Sequence, residues 1–315
     1  MAEQKTKNRR IAVILMTYGS PKTLDDIPDY LRNVYHGKDA SDETIKEFTR
    51  RYSLIGGSPL VRITQNQAEA LDQELHTHHK EKGQFSVDVG MRFSEPFIKD
   101  VVQGVAIDAD TIIGIIMSPQ YSPILMKGYV DALQDAVQLI KRPELKLKII
   151  KGWHLEPLFL QAIAQRVKEA IEKLQVPLRE TIPVLLTAHS MPRRVVETEA
   201  SYINALQETA EEVAKLAGLT DSQWQFCYQS AGHTKEEWLR PDFADLMPQL
   251  KSEGASDVLI APIQFLSDHL EILYDIEIGA REEAERYGIV FHRTESLNTS
   301  PLFIKALAHI VTSSA

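Results

Sequence analysis

Two polar residues that follow apolar runs, His189 and Glu271, have the side chains that proton transfer and metal binding require. His189 ends the sequence Leu-Leu-Thr-Ala-His, and Glu271 ends Ser-Asp-His-Leu-Glu after a second apolar run. Such runs predict buried strands, and the carboxyl ends of parallel strands are where open α/β sheets build their sites. A neutral imidazole and a carboxylate brought together there can bind a divalent cation and can also accept protons.

Each of these residues also has a structural interpretation that the sequence leaves open. His189 can be satisfied by backbone carbonyl groups in an ordinary loop, since Pro192 prevents the strand from continuing. Glu271 can complete a capping box in which Asp268 is the N-cap of a helix. In the functional interpretation, Asp268, Glu271 and Asp275 share one helix face as a path for a hard divalent cation; the alternative is a solvated face.

A second group of polar residues lies in the first part of the chain. Tyr18 follows the apolar run Ile11–Met16, and Gly19 beside it permits a tight turn, as in many nucleotide-binding α/β proteins. The chain contains neither of the glycine-rich phosphate motifs, G-x-G-x-x-G and G-x-x-x-x-G-K-[ST]. Arg51 and Tyr52 can hold a carboxylate through a guanidinium and a phenol.

Composition excludes several classes of protein. The 315 residues carry a net charge of −9, which argues against nucleic acid as a main partner because phosphate binding needs clustered Lys and Arg. The only cysteine is Cys227, so neither a disulfide framework nor a cysteine-ligated iron–sulfur cluster can form within the chain. No apolar run is long enough to cross a bilayer. We therefore expect a cytoplasmic protein without a transmembrane segment.

Short β-branched runs alternate with helix-periodic stretches, and this pattern predicts an α/β fold. Four strands in each half indicate two similar lobes, over residues 1–152 and 153–300, each with a four-stranded parallel sheet flanked by helices and with a cleft between them. We expect a C-terminal helix within residues 301–315 to pack back on the first lobe. The predicted strands are Ile11–Met16, Phe85–Val89, Thr111–Met117, Leu147–Ile150, Pro183–Thr187, Trp224–Tyr228, Val258–Ile263 and Ile289–His292, and the predicted helices include Thr64–His79, Phe159–Leu174, Ala200–Leu216 and Glu282–Tyr287.

A short internal similarity relates the two lobes. Residues Ile14–Pro21 can be laid over Leu185–Pro192 without a gap, and the overlay pairs Tyr18 with His189. Duplication and chance both explain so short a match. In either case the two residues lie just past the first strand of their respective lobes.

Seven blocks of the chain together match the pattern of a known family: Met16–Pro21, Arg50–Leu60, Thr187–Pro192, Tyr228–Gly232, Phe265–Asp275, Glu295–Asn298 and Pro301–Phe303. In this order along the chain, they resemble the ferrochelatases. The resemblance implies two Rossmann-like lobes with a porphyrin cleft between them, and insertion of Fe²⁺ into the macrocycle.

The resemblance also implies roles for individual residues. His189 is similar to the family's histidine that accepts a pyrrole proton or binds the incoming metal, and Glu271 to its carboxylate partner. Tyr18 resembles the tyrosine that ligates iron axially from the opposite ring face in the coproporphyrin III enzymes. The residues implied to contact the ring or its carboxylates are Tyr18, Arg51, Tyr52, Ser58 and Tyr121.

The resemblance favours coproporphyrin III as substrate because of Tyr18, with protoporphyrin IX as the alternative. Other positions depart from the coproporphyrin type. Tyr35 and Phe93 stand where that type usually has Arg and His, and Gly279 replaces the carboxylate that would continue the metal path. Arg92 and the Glu295–Asn298 block are closer to the protoporphyrin type. A non-catalytic haem or tetrapyrrole carrier is the alternative from another class. We expect a monomer that requires no cofactor beyond its Fe²⁺ substrate and holds no iron–sulfur cluster.

Overall fold

The computed structural model describes residues 9–196, 199–232 and 236–315. The chain divides into a first lobe, formed by the residues up to Trp153 together with Asn298–Ala315, and a second lobe, His154–Leu297. Each lobe contains a four-stranded parallel sheet flanked by helices, which confirms the predicted fold class. Within the described residues, no helix is both long and apolar enough to cross a membrane.

The first lobe alternates strands and helices as far as Ile150. Its strands are β1 (Arg10–Thr17), β2 (Gln84–Met91), β3 (Thr111–Ile116) and β4 (Lys146–Ile150), and they are arranged in the order β2-β1-β3-β4. Its helices before β4 are α1 (Ile27–Val34), α2 (Asp42–Leu54), α3 (Leu60–His78), α4 (Ile98–Val105) and α5 (Pro123–Ile140).

The second lobe repeats this alternation. Its strands are β5 (Val184–His189), β6 (Trp224–Gln229), β7 (Asp257–Pro262) and β8 (Val290–Arg293), in the order β6-β5-β7-β8. Its helices are α6 (Pro157–Glu172), α7 (Leu178–Thr181), α8 (Arg193–Val196), α9 (Ala200–Ala217), α10 (Phe243–Ser252), a π-helix (Glu271–Ala280) and α11 (Arg281–Arg286). Each of the eight predicted strands lies within two residues of its predicted ends.

The two sheets share one topology, in which the first strand of the lobe lies between the second and the third. The chain therefore leaves the first strand towards one edge of the sheet and the third strand towards the other. This reversal creates a crevice at the carboxyl ends of the first and third strands, where open α/β sheets bind ligands. The crevices lie between β1 and β3 in the first lobe and between β5 and β7 in the second.

The central strands owe their position to continuous apolar sequence. Residues 11–16 of β1 and all six residues of β3 are buried. Helices on both faces of a parallel sheet cover it completely, so its central strands read as unbroken apolar runs. Each fully buried Val, Ile or Leu side chain stabilises the fold by about 1.5–3 kcal/mol relative to an exposed one.

The C-terminal helix α12 (Pro301–Ser314) completes the first lobe. Its Phe303 ring stacks on Trp153 with 6.4 Å between ring centroids, and the Gln67 side-chain amide of α3 donates a hydrogen bond to the Asn298 carbonyl at 2.8 Å. Seven residues of α12 are buried, among them Phe303, Leu307 and Val311. The chain thus returns to the first lobe after the second has been formed.

The helix that carries Glu271 differs from the sequence prediction in two respects. The capping box at Asp268, one of the two interpretations that the sequence left open, does not form, because the helix begins at Glu271 and its N-cap is Leu270. The predicted helix Glu282–Tyr287 is the end of a longer one, since the π-helix continues directly into α11. A π-helix has i→i+5 hydrogen bonds, is rare, and often occurs at functional sites.

Gly114 in β3 provides a test of the packing in the first sheet. An added methyl group would lie 2.3 Å from Leu133 Cδ2 and 3.0 Å from Met16 Cε. We expect Gly114→Ala to lower the free energy of unfolding by about 1–3 kcal/mol, because overpacking forces buried side chains to shift. Gly104→Ala, at an exposed position of α4 where the added methyl group would meet no other part of the chain within 4 Å, should be neutral or stabilising. Equal urea midpoints for the two variants would contradict this account.

Candidate active site

His189 is the last residue of β5, at the crevice between β5 and β7. The strand extends two residues beyond its predicted end, so His189 belongs to the strand and does not lie just past it. Its backbone N–H donates to the side-chain oxygen of Gln264 at 2.8 Å, and the N–H of Ser190 donates to the Gln229 carbonyl at 2.7 Å. The backbone that carries the imidazole is therefore held on one side by β6 and on the other by the segment that follows β7.

The imidazole of His189 has a defined tautomer. Its Nδ1 is hydrogen-bonded to the Ser190 carbonyl, and because a carbonyl oxygen only accepts, Nδ1 carries the proton. In the neutral ring, the lone pair is then on Nε2. The His189 side chain is 31% exposed. In the structural interpretation, backbone carbonyl groups satisfy the imidazole. The Ser190 carbonyl binds only Nδ1, so Nε2 remains able to accept a proton or bind a metal ion.

Glu271, the first residue of the π-helix, faces this lone pair. Its Oε2 lies 3.5 Å from His189 Nε2, and it is a buried oxygen without a hydrogen-bond donor among the residues that the structure describes. Two acceptors at this distance repel unless a cation lies between them. The pair can therefore share a proton that is bound to the imidazole, or it can supply two ligand atoms to a divalent metal ion.

The other two carboxylates of the predicted stripe have different positions. Asp268 precedes the helix, accepts a hydrogen bond from Ser296 Oγ at 2.8 Å and lies 3.5 Å from Arg293 Nη1, so its predicted place on the helix face is wrong. Asp275 lies on the π-helix, one turn beyond Glu271. In the described part of the chain, no three His, Cys, Asp or Glu side chains are close enough together to hold a metal ion by themselves.

Sequence reasoning missed the side chains that surround His189. The Phe265 ring lies edge-on to the imidazole at 6.5 Å and packs against His269 at 4.6 Å. Gln264 accepts from the His189 backbone and donates to the hydroxyl of Tyr202 at 2.5 Å. An amide flanked by Ile263 and Phe265 was a signal in the sequence, because a buried polar side chain requires a partner.

In the first lobe, Tyr18 directly follows β1 at the crevice between β1 and β3. Tyr18 is 42% exposed, and its ring packs against Phe93 with 4.5 Å between centroids. The guanidinium of Arg92 lies 4.6 Å from the Phe93 centroid. Tyr121 follows β3, and the Lys151 ammonium lies 5.5 Å from its ring. The structure thus places two of the predicted porphyrin contacts, Tyr18 and Tyr121, after the two strands that border the crevice.

The remaining predicted contacts lie at the end of α2 and in the turn that follows it. Arg51 donates from Nε to the Glu47 carboxylate at 2.8 Å, and Glu47 also accepts from Arg50. Tyr52 is buried, and Ser58 Oγ accepts from the backbone N–H of Leu60 at 3.3 Å. A substrate carboxylate would therefore compete with Glu47 for Arg51.

Two solved structures resemble this fold. The sirohydrochlorin chelatase SirB from Bacillus subtilis subspecies spizizenii, solved with cobalt, gives a TM-score of 0.57 over 98% of this chain and 95% of that chain, with 11% identity. CbiX, the terminal enzyme of sirohaem biosynthesis in denitrifying bacteria, gives a TM-score of 0.56 over 98% and 100%, also with 11% identity. Likeness at this identity establishes the two-lobed fold of the chelatases.

Sequence comparison identifies the family. Residues 10–315 match the ferrochelatases. A ferrochelatase of Deinococcus radiodurans is 36% identical over 308 residues, which cover 97% of this chain and 96% of the relative. The coproporphyrin III ferrochelatase of Geobacillus thermodenitrificans is 35% identical over 306 residues, with 96% and 95% covered. The chain belongs to the ferrochelatase family, whose members are lyases that act as porphyrin metal chelatases.

Glu47 gives a prediction about acid stability. Hydrogen bonds from Arg50 and Arg51 lower its carboxyl pKa from 4.5 to about 2. A pKa lowered by folding adds stability that is present above the unfolded value and is lost as the pH falls towards the folded value. Glu47→Gln should therefore reduce the free energy of unfolding at pH 7 by less than about 1 kcal/mol, since the Glu47 side chain is 39% exposed.

Urea denaturation at several pH values measures this effect. The difference between Glu47→Gln and the wild type should shrink as the pH falls from 4.5 and vanish near pH 2. Glu81→Gln, which changes an exposed carboxylate near the end of α3, is the matched control. A deficit in Glu47→Gln that stays constant between pH 7 and pH 3 would rule out the ion pairs as its cause.

Proposed function

We propose that this protein inserts Fe²⁺ into a porphyrin in haem biosynthesis, with coproporphyrin III preferred over protoporphyrin IX. The observation that carries the proposal is the opposition of His189 Nε2 and Glu271 Oε2 at 3.5 Å, at a sheet crevice. Family membership supports the reaction class, and relatives such as the Geobacillus thermodenitrificans protein bear the name coproporphyrin III ferrochelatase. Protoporphyrin IX is the competing substrate in the tests below.

The reaction requires a proton acceptor. A free-base porphyrin carries two inner N–H groups, and a metal ion can enter only as both protons leave. The lone pair on His189 Nε2 can accept one of these protons and the Glu271 carboxylate, which faces it, can accept the other. Alternatively, the imidazole and the carboxylate bind the incoming Fe²⁺, for which both are suitable ligands. In both cases His189 and Glu271 together bind cations, which are protons in the first case and Fe²⁺ in the second.

Tyr18 and the carboxylate-binding residues complete the proposed site. We propose that the exposed phenol of Tyr18 approaches the ring from the face opposite to His189 and ligates the product iron axially. Tyr18 lies at the crevice of the first sheet, where a ligand is expected. We propose that Arg51, Tyr52, Ser58 and Tyr121 contact the porphyrin or its propionates, of which coproporphyrin has four and protoporphyrin two.

The proposal includes no resident cofactor. Fe²⁺ enters as substrate, and Cys227 lies in the core of the second lobe, where burial raises the pKa of its thiol. A buried neutral thiol is a poor metal ligand, because thiolate is the form that binds metals.

We further propose that the protein acts as a monomer in the cytoplasm. Size-exclusion chromatography with light scattering tests the first of these points, and fractionation of the cell the second.

Anaerobic insertion of Fe²⁺ into coproporphyrin III and protoporphyrin IX, offered separately, tests the reaction and its substrate. We expect turnover of coproporphyrin III and a loss of at least about 100-fold in His189→Ala, since general base catalysis contributes at least this factor. His78→Ala, at the exposed end of α3, is the matched control and should retain wild-type turnover. Preference for protoporphyrin IX would overturn the substrate assignment, and tight binding without insertion would identify a carrier.

The absorption and resonance Raman spectra of bound product iron test the role of Tyr18. Tyr18→Met replaces the phenolate donor by a thioether, so the charge-transfer and ligand-field bands should shift while turnover changes by less than about tenfold. Tyr35→Phe removes another exposed phenol and should leave the spectrum unchanged. A wild-type spectrum in Tyr18→Met would show that this residue is not the axial ligand.

A further inference from the structure

Gln264 is a buried amide that connects the backbone of His189 to the side chain of Tyr202. It lies two residues after β7, and its Oε1 accepts from the His189 N–H at 2.8 Å. Its Nε2 donates to the Tyr202 hydroxyl at 2.5 Å. Gln264 is 8% exposed and Tyr202 1%, so water competes little with either hydrogen bond.

The donors and acceptors fix the orientation of this amide. A backbone N–H can only donate, so the group that faces His189 must be the amide oxygen, and the NH₂ group must face Tyr202. A flipped amide would place two donors against each other at His189. Both hydrogen bonds therefore form together, and Tyr202, which extends from α9, anchors the far end of the amide.

Where the backbone hydrogen bonds between β5 and β7 end, the Gln264 side chain accepts the next hydrogen bond from β5. The last register pair of these strands is Thr187 with Pro262, and Ile263 N–H donates to the Thr187 carbonyl at 2.9 Å. Two residues further along β5, the N–H of His189 donates to the Gln264 side chain instead of to a backbone carbonyl. The strand thus remains extended for the residue that carries the imidazole.

Packing alone does not explain an amide at this position. Burying an amide among apolar residues is unfavourable unless its hydrogen bonds are made, and an apolar side chain of similar length would avoid that cost. Gln264 lies between buried Ile263 and half-buried Phe265, which are both apolar. Its two hydrogen bonds connect β5, the segment after β7 and α9 at the base of the proposed catalytic histidine.

We propose that Gln264, anchored by Tyr202, is a positioning residue that holds His189 Nε2 towards Glu271. The effect on turnover rests on the proposed function. The position of His189 relative to Glu271 can be tested separately, by metal binding without porphyrin. Misplacement of a catalytic group by about 1 Å can reduce a rate by about 100-fold. Loss of the Gln264 amide should therefore impair the chemical step more than the binding of porphyrin.

Three substitutions separate positioning from packing. Gln264→Met keeps the length of the side chain but removes both hydrogen bonds, and Tyr202→Phe removes only the anchoring hydroxyl. Gln264→Glu retains both links, because a carboxyl group can accept from His189 N–H and can bond to the Tyr202 hydroxyl in either protonation state. We expect kcat to fall at least about tenfold in Gln264→Met and less in Tyr202→Phe, and to recover in Gln264→Glu. The KM for porphyrin should stay within about twofold of the wild-type value in all three.

Zn²⁺ binding without porphyrin, measured by calorimetry, tests the geometry independently of turnover. The wild type should bind Zn²⁺ through His189 and Glu271, so His189→Ala should abolish binding and Gln264→Met should weaken it about tenfold. If the wild type binds Zn²⁺ in this way but inserts no iron into either porphyrin, the proposed function fails and the Zn²⁺ series still decides the positioning role. Unchanged kcat and Zn²⁺ affinity in Gln264→Met would overturn the role of Gln264. So would a loss of kcat in Gln264→Glu that equals the loss in Gln264→Met, or a wild type that neither binds Zn²⁺ nor inserts iron.

Discussion

Two hydrogen-bond acceptors, the Nε2 lone pair of His189 and the buried Oε2 of Glu271, face each other at 3.5 Å. Such a pair is favourable only when a proton or a metal ion is shared between the two atoms. The Ser190 carbonyl accepts the Nδ1 proton and thereby keeps the lone pair on Nε2. The surrounding structure therefore holds two acceptor atoms at a distance at which they attract a cation and repel each other without one.

The topology of the second sheet makes this opposition possible. Because β5 lies between β6 and β7, the end of β5 and the chain that follows β7 meet at one crevice. The π-helix begins at that point with Glu271, whose Oε2 has no hydrogen-bond partner among the residues that the structure describes. The first sheet has the same topology, and Tyr18 lies at its corresponding position after β1. One architectural rule thus accounts for the placement of the polar residues in both lobes.

Much of this arrangement could be predicted from sequence, because the signals concerned are local. The unbroken apolar runs at Ile11–Met16 and Val258–Ile263 identify strands covered on both faces, and the blocks around His189 and Glu271 identify the family. The start of the helix at Glu271 could not be predicted, since Asp268 fits a capping box equally well. The competing partners of Asp268, Ser296 and Arg293, come from the distant end of β8 and the segment after it.

The sequence by itself determined the fold class, the strands and the residue types of the site, because these follow from local periodicity and from contiguous motifs. Only the tertiary structure decided the tautomer of His189, the position of the Glu271 oxygen that faces it and the role of Gln264. Gln264 meets Tyr202 across 62 positions and His189 across 75. Such contacts depend on how distant segments pack, and the free energy of a buried hydrogen bond depends on partners that no local pattern contains.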